Sequence, residues 1–157
     1  MTLSGALLTP GTLRLQGTSG FTGALTVATG WTNAGTIELT DNSGNAASLT
    51  VSSGTLTNAS TGAINVLTGS GGGRTITATL LDNQGTMTVS RSLALNAALD
   101  QRNILPVPAG PTLAITGSLT LYTLSATTVD GIMTASLGCT TQGPLITGTG
   151  VNPPSCS

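Results

Sequence analysis

The residues able to carry chemistry are few: five carboxylates (Glu38, Asp41, Asp82, Asp100, Asp130), four arginines (Arg14, Arg74, Arg91, Arg102) and two cysteines (Cys139, Cys156), with no histidine and no lysine in 157 residues. General acid–base catalysis needs titratable groups that converge in a cleft, and glycoside hydrolysis needs a close carboxylate pair. Glu38 and Asp41 are the nearest pair in the chain, and a strand-and-turn placement makes both solvated surface groups. A Ser-His-Asp triad is excluded without histidine, and a cysteine nucleophile lacks its usual base. The run Gly69–Gly73 has no Gly-Lys-Ser/Thr and no following helix, so it is read as a flexible loop rather than a phosphate cradle. Two thiols without histidine cannot complete a four-ligand zinc site, and the aspartates follow no calcium-binding period. The chain reads as non-enzymatic, with no catalytic, cofactor or metal residues. A disulfide between Cys139 and Cys156 is the expected state of the thiols, across a loop carrying Gly143, Pro144, Pro153 and Pro154.

Charged residues are only 6% of the chain. Four scattered arginines make no basic patch able to neutralise a run of phosphates, which argues against nucleic acid as a partner. No stretch approaches the roughly 18 apolar residues of a membrane helix, so membrane insertion is not expected. The segment Met1–Leu15 lacks the basic start of a secretion signal, and a leader is expected to be absent or already removed. Sugar-binding surfaces present aromatic rings, and this chain has three: Phe21, Trp31 and Tyr122. Trp31 aligns with Leu56 and Leu81 in the repeat described below, which assigns it to the core. Asn58-Ala59-Ser60 matches a glycosylation acceptor, but Asn58 belongs to the same repeat. A threonine-rich ice-binding face would need Thr-x-Thr in every coil; Thr50, Thr75 and Thr77 are placed for it, and Leu93-Ala94-Leu95 breaks the row.

What could position these residues is a repeat. Trp31-Thr32-Asn33, Leu56-Thr57-Asn58 and Leu81-Asp82-Asn83 share one pattern, with asparagines 25 residues apart. Each is followed by glycine and a short alternating segment: Gly35-Thr36-Ile37-Glu38-Leu39, Gly62-Ala63-Ile64-Asn65-Val66 and Gly85-Thr86-Met87-Thr88-Val89, with an earlier copy at Gly11–Leu15. A second alternating segment recurs at Leu25–Val27, Leu49–Val51, Thr75–Ala78 and Leu93–Leu95. Period-two alternation bounded by Gly, Asn and Ser signals short strands, each apolar on one face. No single unit can bury that face alone, so the units must stack.

The expected fold is all-β: a parallel β-solenoid with coils of about 25 residues, in which Ile37, Ile64 and Met87 form an inward column and Asn33, Asn58 and Asn83 a hydrogen-bonded ladder at a coil corner. Asparagine also tolerates the left-handed backbone that a corner can require. The competing fold is an antiparallel β-sandwich, which shows the same short strands. Asn45–Ser48 is expected as a coil-to-coil loop and Ser92–Asp100 as strand and loop. Residues 1–105 are expected to form the repeat region. The proline-rich stretch Leu105–Pro111 marks a joint, and residues 106–157 hold further strands and a disulfide-pinned C-terminal cap or arm.

The phrase Leu56-Thr57-Asn58-Ala59-Ser60-Thr61-Gly62-Ala63-Ile64, with Asn33 and Asn83 in the equivalent places, resembles the degenerate repeats of large bacterial secreted exoproteins of the filamentous haemagglutinin and autotransporter adhesin type. The likeness covers about residues 11–99; the C-terminal part, with two prolines shortly before a cysteine, departs from it. The resemblance implies a right-handed β-helix stalk at a bacterial surface, serving adhesion or matrix structure. The expected function is a non-enzymatic, extracellular or cell-surface structural or adhesive module. Low charge and an uncharged N-terminal end at Leu3, Leu7 and Leu8 make copies of itself the expected partner, in a fibre, sheath or stalk. A surface glycan or a host or matrix component is a further possible partner, and a non-catalytic glycan-binding module is the alternative function.

Overall fold

Short alternating segments separated by glycine-rich corners wind into a stack in which every coil contributes one strand to each of three parallel faces. A computed structural model describes residues 2–3, 11–143, 146–153 and 156; Leu7, Leu8, Pro144 and Pro154 lie outside them. Strand β1 (Thr2–Leu3) comes first. Coil one holds β2 (Thr12–Gly17), β3 (Gly23–Val27) and β4 (Trp31–Asn33). Coil two holds β5 (Thr36–Asp41), β6 (Ala47–Val51) and β7 (Thr55–Asn58). In coil three β8 (Ala63–Gly69) is followed by β9 (Arg74–Asn83), and in coil four β10 (Thr86–Val89) by β11 (Leu93–Gln101); β9 and β11 each serve two faces. Coil five holds β12 (Ile104–Val107), β13 (Thr112–Ile115) and β14 (Leu119–Leu121). Coil six holds β15 (Ala126–Val129), β16 (Ile132–Ala135) and β17 (Cys139–Thr141). Every named strand pair is parallel, so the fold is a β-solenoid and the antiparallel sandwich is excluded.

The register places like above like. Ile37 pairs with Ile64 and Ile64 with Met87; Leu15, Leu39, Val66 and Val89 form the next column. Ile37, Ile64, Met87, Leu39, Val66 and Val89 are fully buried. Burying a side chain of this size is worth about 1.5–3 kcal/mol. Stacking repeats that gain at every level, so no coil depends on a core of its own.

The coil length is not constant. Trp31, Leu56 and Leu81 are spaced by 25 residues, but their next partner, Leu99, follows after 18, and Leu119 and Cys139 after 20 each. Three strands of about four residues and three tight corners need no more than this; the longer early coils carry added corner residues. The winding also runs on through the expected joint at Leu105–Pro111. Strand β12 contains Pro106 and pairs with β15 over four residues. Its contact with β10 is a single register pair, Thr86 with Ile104, as a missing N–H on that side requires. Two local expectations change as well. Ala47 and Ser48 belong to β6, with Ala47 fully buried, and Leu93–Gln101 is strand throughout, with a bulge near Ala97. Among the described residues only glycines have positive φ, so the ladder asparagines sit in ordinary strand conformation. The sharp corners are taken by residues such as Gly54 (φ 87°) and Gly138 (φ 88°).

Candidate functional site

The asparagines close a polar spine inside the stack. Asn33 Nδ2 donates to Asn58 Oδ1 at 2.8 Å, and Asn58 Nδ2 to Asn83 Oδ1 at 2.7 Å. The spine has a fourth member, Gln101, whose Oε1 accepts from Asn83 Nδ2 at 2.8 Å and whose Nε2 donates to Asn103 O at 2.8 Å. Gln101 escaped the sequence pattern because it lies 18 residues after Asn83 rather than 25; its position two residues after the inward Leu99 was the available signal. The same amides also tie the corner together: Asn33 Nδ2 reaches Ala63 O at 3.2 Å, and Asn58 Nδ2 reaches Thr86 O at 3.1 Å. Glycine recurs after the asparagines because a Cβ at Gly62 would overlap Asn58 Oδ1, and one at Gly85 would strike the carbonyls of Gly62 and Ala59. Asn58, Asn83 and Gln101 are fully buried and Asn33 nearly so, which withdraws these amides from any ligand and Asn58 from glycosylation in the folded chain.

A second buried polar feature was not legible as such. Asp41 is in phase with Ile37 and Leu39, and Arg74 with Ile76, so both point inward. Their side chains are completely shielded and joined by an ion pair of 2.5 Å from Arg74 Nη2 to Asp41 Oδ1. Ala47 and Leu93 are the register partners of Arg74 in the coils on either side, and the small Ala47 leaves space beside it. Arg74 also donates to Gly72 O at 2.5 Å and Leu39 O at 3.3 Å, while Asp41 accepts from Gly44 N at 2.6 Å. Burial pushes the Asp41 carboxyl up, but the hydrogen bonds from Arg74 and from the backbone of Gly44, Gly72 and Gly71 outweigh it and hold it below the usual carboxylate range. Asp41 is therefore not the surface group expected, and the glycine run is pinned rather than loose. A Cβ at Gly69 would collide with the Asp41 carboxylate, and one at Gly72 with Asn45 O.

The remaining charges lie outside the core. Arg14 pairs with Glu38 at 2.7 Å across coils one and two. Arg102 bonds Asp82 at 2.6 Å and Asp100 at 3.2 Å and lies 3.6 Å over the Tyr122 ring, whose hydroxyl donates to Asp100. Trp31 is 3% exposed, a core residue on Leu56, whereas Phe21 is 73% exposed at a turn.

At the far end Cys139 and Cys156 form a disulfide, with Cα atoms 5.4 Å apart and a sequence separation of 17. The segment between them begins a further level: Thr147 bridges to Thr128 and Val151 to Ile132, both parallel. Closing a loop of this length stabilises by about 3 kcal/mol on chain-entropy grounds. Reduction is accordingly expected to speed hydrogen exchange at the amides of Thr147, Gly150 and Val151 while leaving those of Ala63 and Thr86, beside the spine, protected. Equal acceleration at all five would show that the bridge supports the whole stack.

These features define the class as a parallel β-solenoid with a buried amide spine and a disulfide-closed C-terminal end. No protein-family model, no curated protein and no solved structure matches the chain.

Proposed function

We propose that the chain is a non-enzymatic structural module of an extracellular or cell-surface assembly, extended by contacts between copies of itself. The observation that supports this most directly is where its bonding capacity is spent. All five carboxylates are engaged inside the chain: Glu38, Asp41, Asp82 and Asp100 by arginine, and Asp130 by the backbone N–H and hydroxyl of Thr149. The four amides of the spine are bonded to one another. Apart from the guanidinium of Arg91, which bonds only a backbone carbonyl, backbone edges are the main bonding capacity left. Among the described residues, β2 and β4 each have one strand neighbour, β5 and β7; at the other end β15 and β16 are bridged by Thr147 and Val151, while β17 pairs with β14 alone.

An unpaired edge accepts a strand from another molecule through backbone groups alone. Six coils at the usual strand spacing of about 4.8 Å form a rod segment of about 30 Å, a length that end-to-end association would multiply. The disulfide accords with an oxidising location outside the cell. Sedimentation velocity across micromolar concentrations, with electron microscopy of the same samples, tests the reading. Concentration-dependent oligomers of elongated shape are expected. A strictly monomeric species at every concentration and salt level would overturn self-association.

A further inference from the structure

We propose that a notch beside Arg91 is a binding site for an acidic saccharide, whose carboxylate or sulfate is held by the Arg91 guanidinium. The notch follows from unequal corners. Between the first and second faces, seven residues separate Val66 from Arg74, three separate Val89 from Leu93, and five separate Val107 from Leu113. The short corner, Ser90-Arg91-Ser92, is therefore recessed between two longer ones, with Gly71–Gly73 as one wall and Gly110–Pro111 as the other. The space enclosed is about 310 Å³, at the lower end of the range for small-ligand sites and on the scale of a sugar ring rather than a bare ion.

The charge inventory says what belongs there. Arg14, Arg74 and Arg102 are each paired with a carboxylate, and among the described residues Arg91 is the one arginine that is not. Its Nη2 donates to Gly71 O at 2.9 Å, which anchors the side chain at one wall of the notch. Every carboxylate side chain of the chain is already engaged, so the anion that completes Arg91 comes from outside. A guanidinium is suited to the two oxygens of a carboxylate or sulfate. The rest of the lining combines hydroxyls and peptide groups with the Pro111 ring and glycine methylenes: Ser92 Oγ accepts from Thr112 N at 3.0 Å, which leaves its own O–H to donate. Such a mixed lining suits a sugar, whose hydroxyls find hydrogen-bond partners while its C–H face rests on the Pro111 ring. The site requires the fold but not self-association, so either can fail alone.

The test is a titration of the full-length, isotope-labelled protein followed by amide and Arg Nε–H chemical shifts. The probes are glucuronate, glucose 6-sulfate, glucose, inorganic sulfate and a glutamate-containing dipeptide. Saturable shifts confined to Gly71–Gly73 and Ser90–Ser92 are expected with the two acidic sugars, weakened by salt. Affinity is expected to fall roughly tenfold or more in Arg91→Gln, and less in Arg91→Lys, which keeps the charge without the fork. An unchanged spectrum elsewhere in Arg91→Gln shows that the coil is intact. No shift at the notch with either acidic sugar, an equal response to glucose, or full affinity in Arg91→Gln would overturn the site. Inorganic sulfate or the dipeptide binding as tightly as the acidic sugars would overturn its assignment to saccharides.

Discussion

Asn58→Ala is expected to be among the most destabilising single substitutions in this chain, although it removes no charge and little volume. Asn58 is the interior rung of the amide spine: it accepts from Asn33, donates to Asn83 at 2.7 Å and donates to Thr86 O. Alanine strands the Asn83 Oδ1 acceptor and leaves Asn33 Nδ2 with its carbonyl partners only, inside a core with no exposure at this residue. Each buried polar group left without its partner costs about 1–3 kcal/mol. The expected loss is about 3 kcal/mol, or on the order of 10 °C in Tm for a chain of this size. Asn33→Ala should cost less, because Asn33 is the end rung and keeps slight solvent access. Denaturant unfolding of the two variants, with the exposed Asn42→Ala as control, gives the comparison. An Asn58 variant no weaker than the control would show that the spine is a by-product of stacking.

The second large effect concerns the buried ion pair. Arg74→Met is expected to lower the unfolding midpoint by more than Asn58→Ala, because it leaves the shielded Asp41 carboxylate without its counter-charge and frees the acceptors at Gly72 and Leu39. Breaking such a pair from one side is worse than removing both partners. Adding Asp41→Asn to Arg74→Met should therefore restore part of the loss, since an amide oxygen still accepts from Gly44 N. The pH dependence separates the charge from the packing. In the native chain the Asp41 carboxyl is depressed, so its contribution is complete above the ordinary aspartate pKa of about 4 and fades as pH falls toward the lower folded value. In Arg74→Met, burial is less opposed and raises the carboxyl, so acidification should relieve the variant while it weakens the native protein. Midpoints measured at pH 7 and pH 3 should converge. A constant gap would mean that Arg74 acts through packing alone.

By itself the sequence determined an all-β repeat and much of its interior, whereas the choice of a parallel solenoid over an antiparallel sandwich rests on the strand register. Alternation of two residues assigns Ile37, Leu39, Ile64 and Val66 to one side of a strand, and the asparagines at 25-residue spacing set three levels in register, because in a stack only like environments repeat. Trp31 was assigned to the core by the same alignment. These are local signals, carried by period and spacing.

What tertiary structure decided is what depends on distance across coils. Gln101 joins the spine because a shortened corner brings it under Asn83, and corner length can change without disturbing strand alternation. Asp41 and Arg74 are 33 residues apart; each reads alone as a surface charge. Only the winding shows that both face inward beside the small Ala47, where neither could be buried without the other. The same cause hid the notch at Arg91, a recess made by a three-residue corner lying between corners of seven and five. Strand faces are written residue by residue, whereas partners and recesses arise only when coils of unequal length are laid on one another.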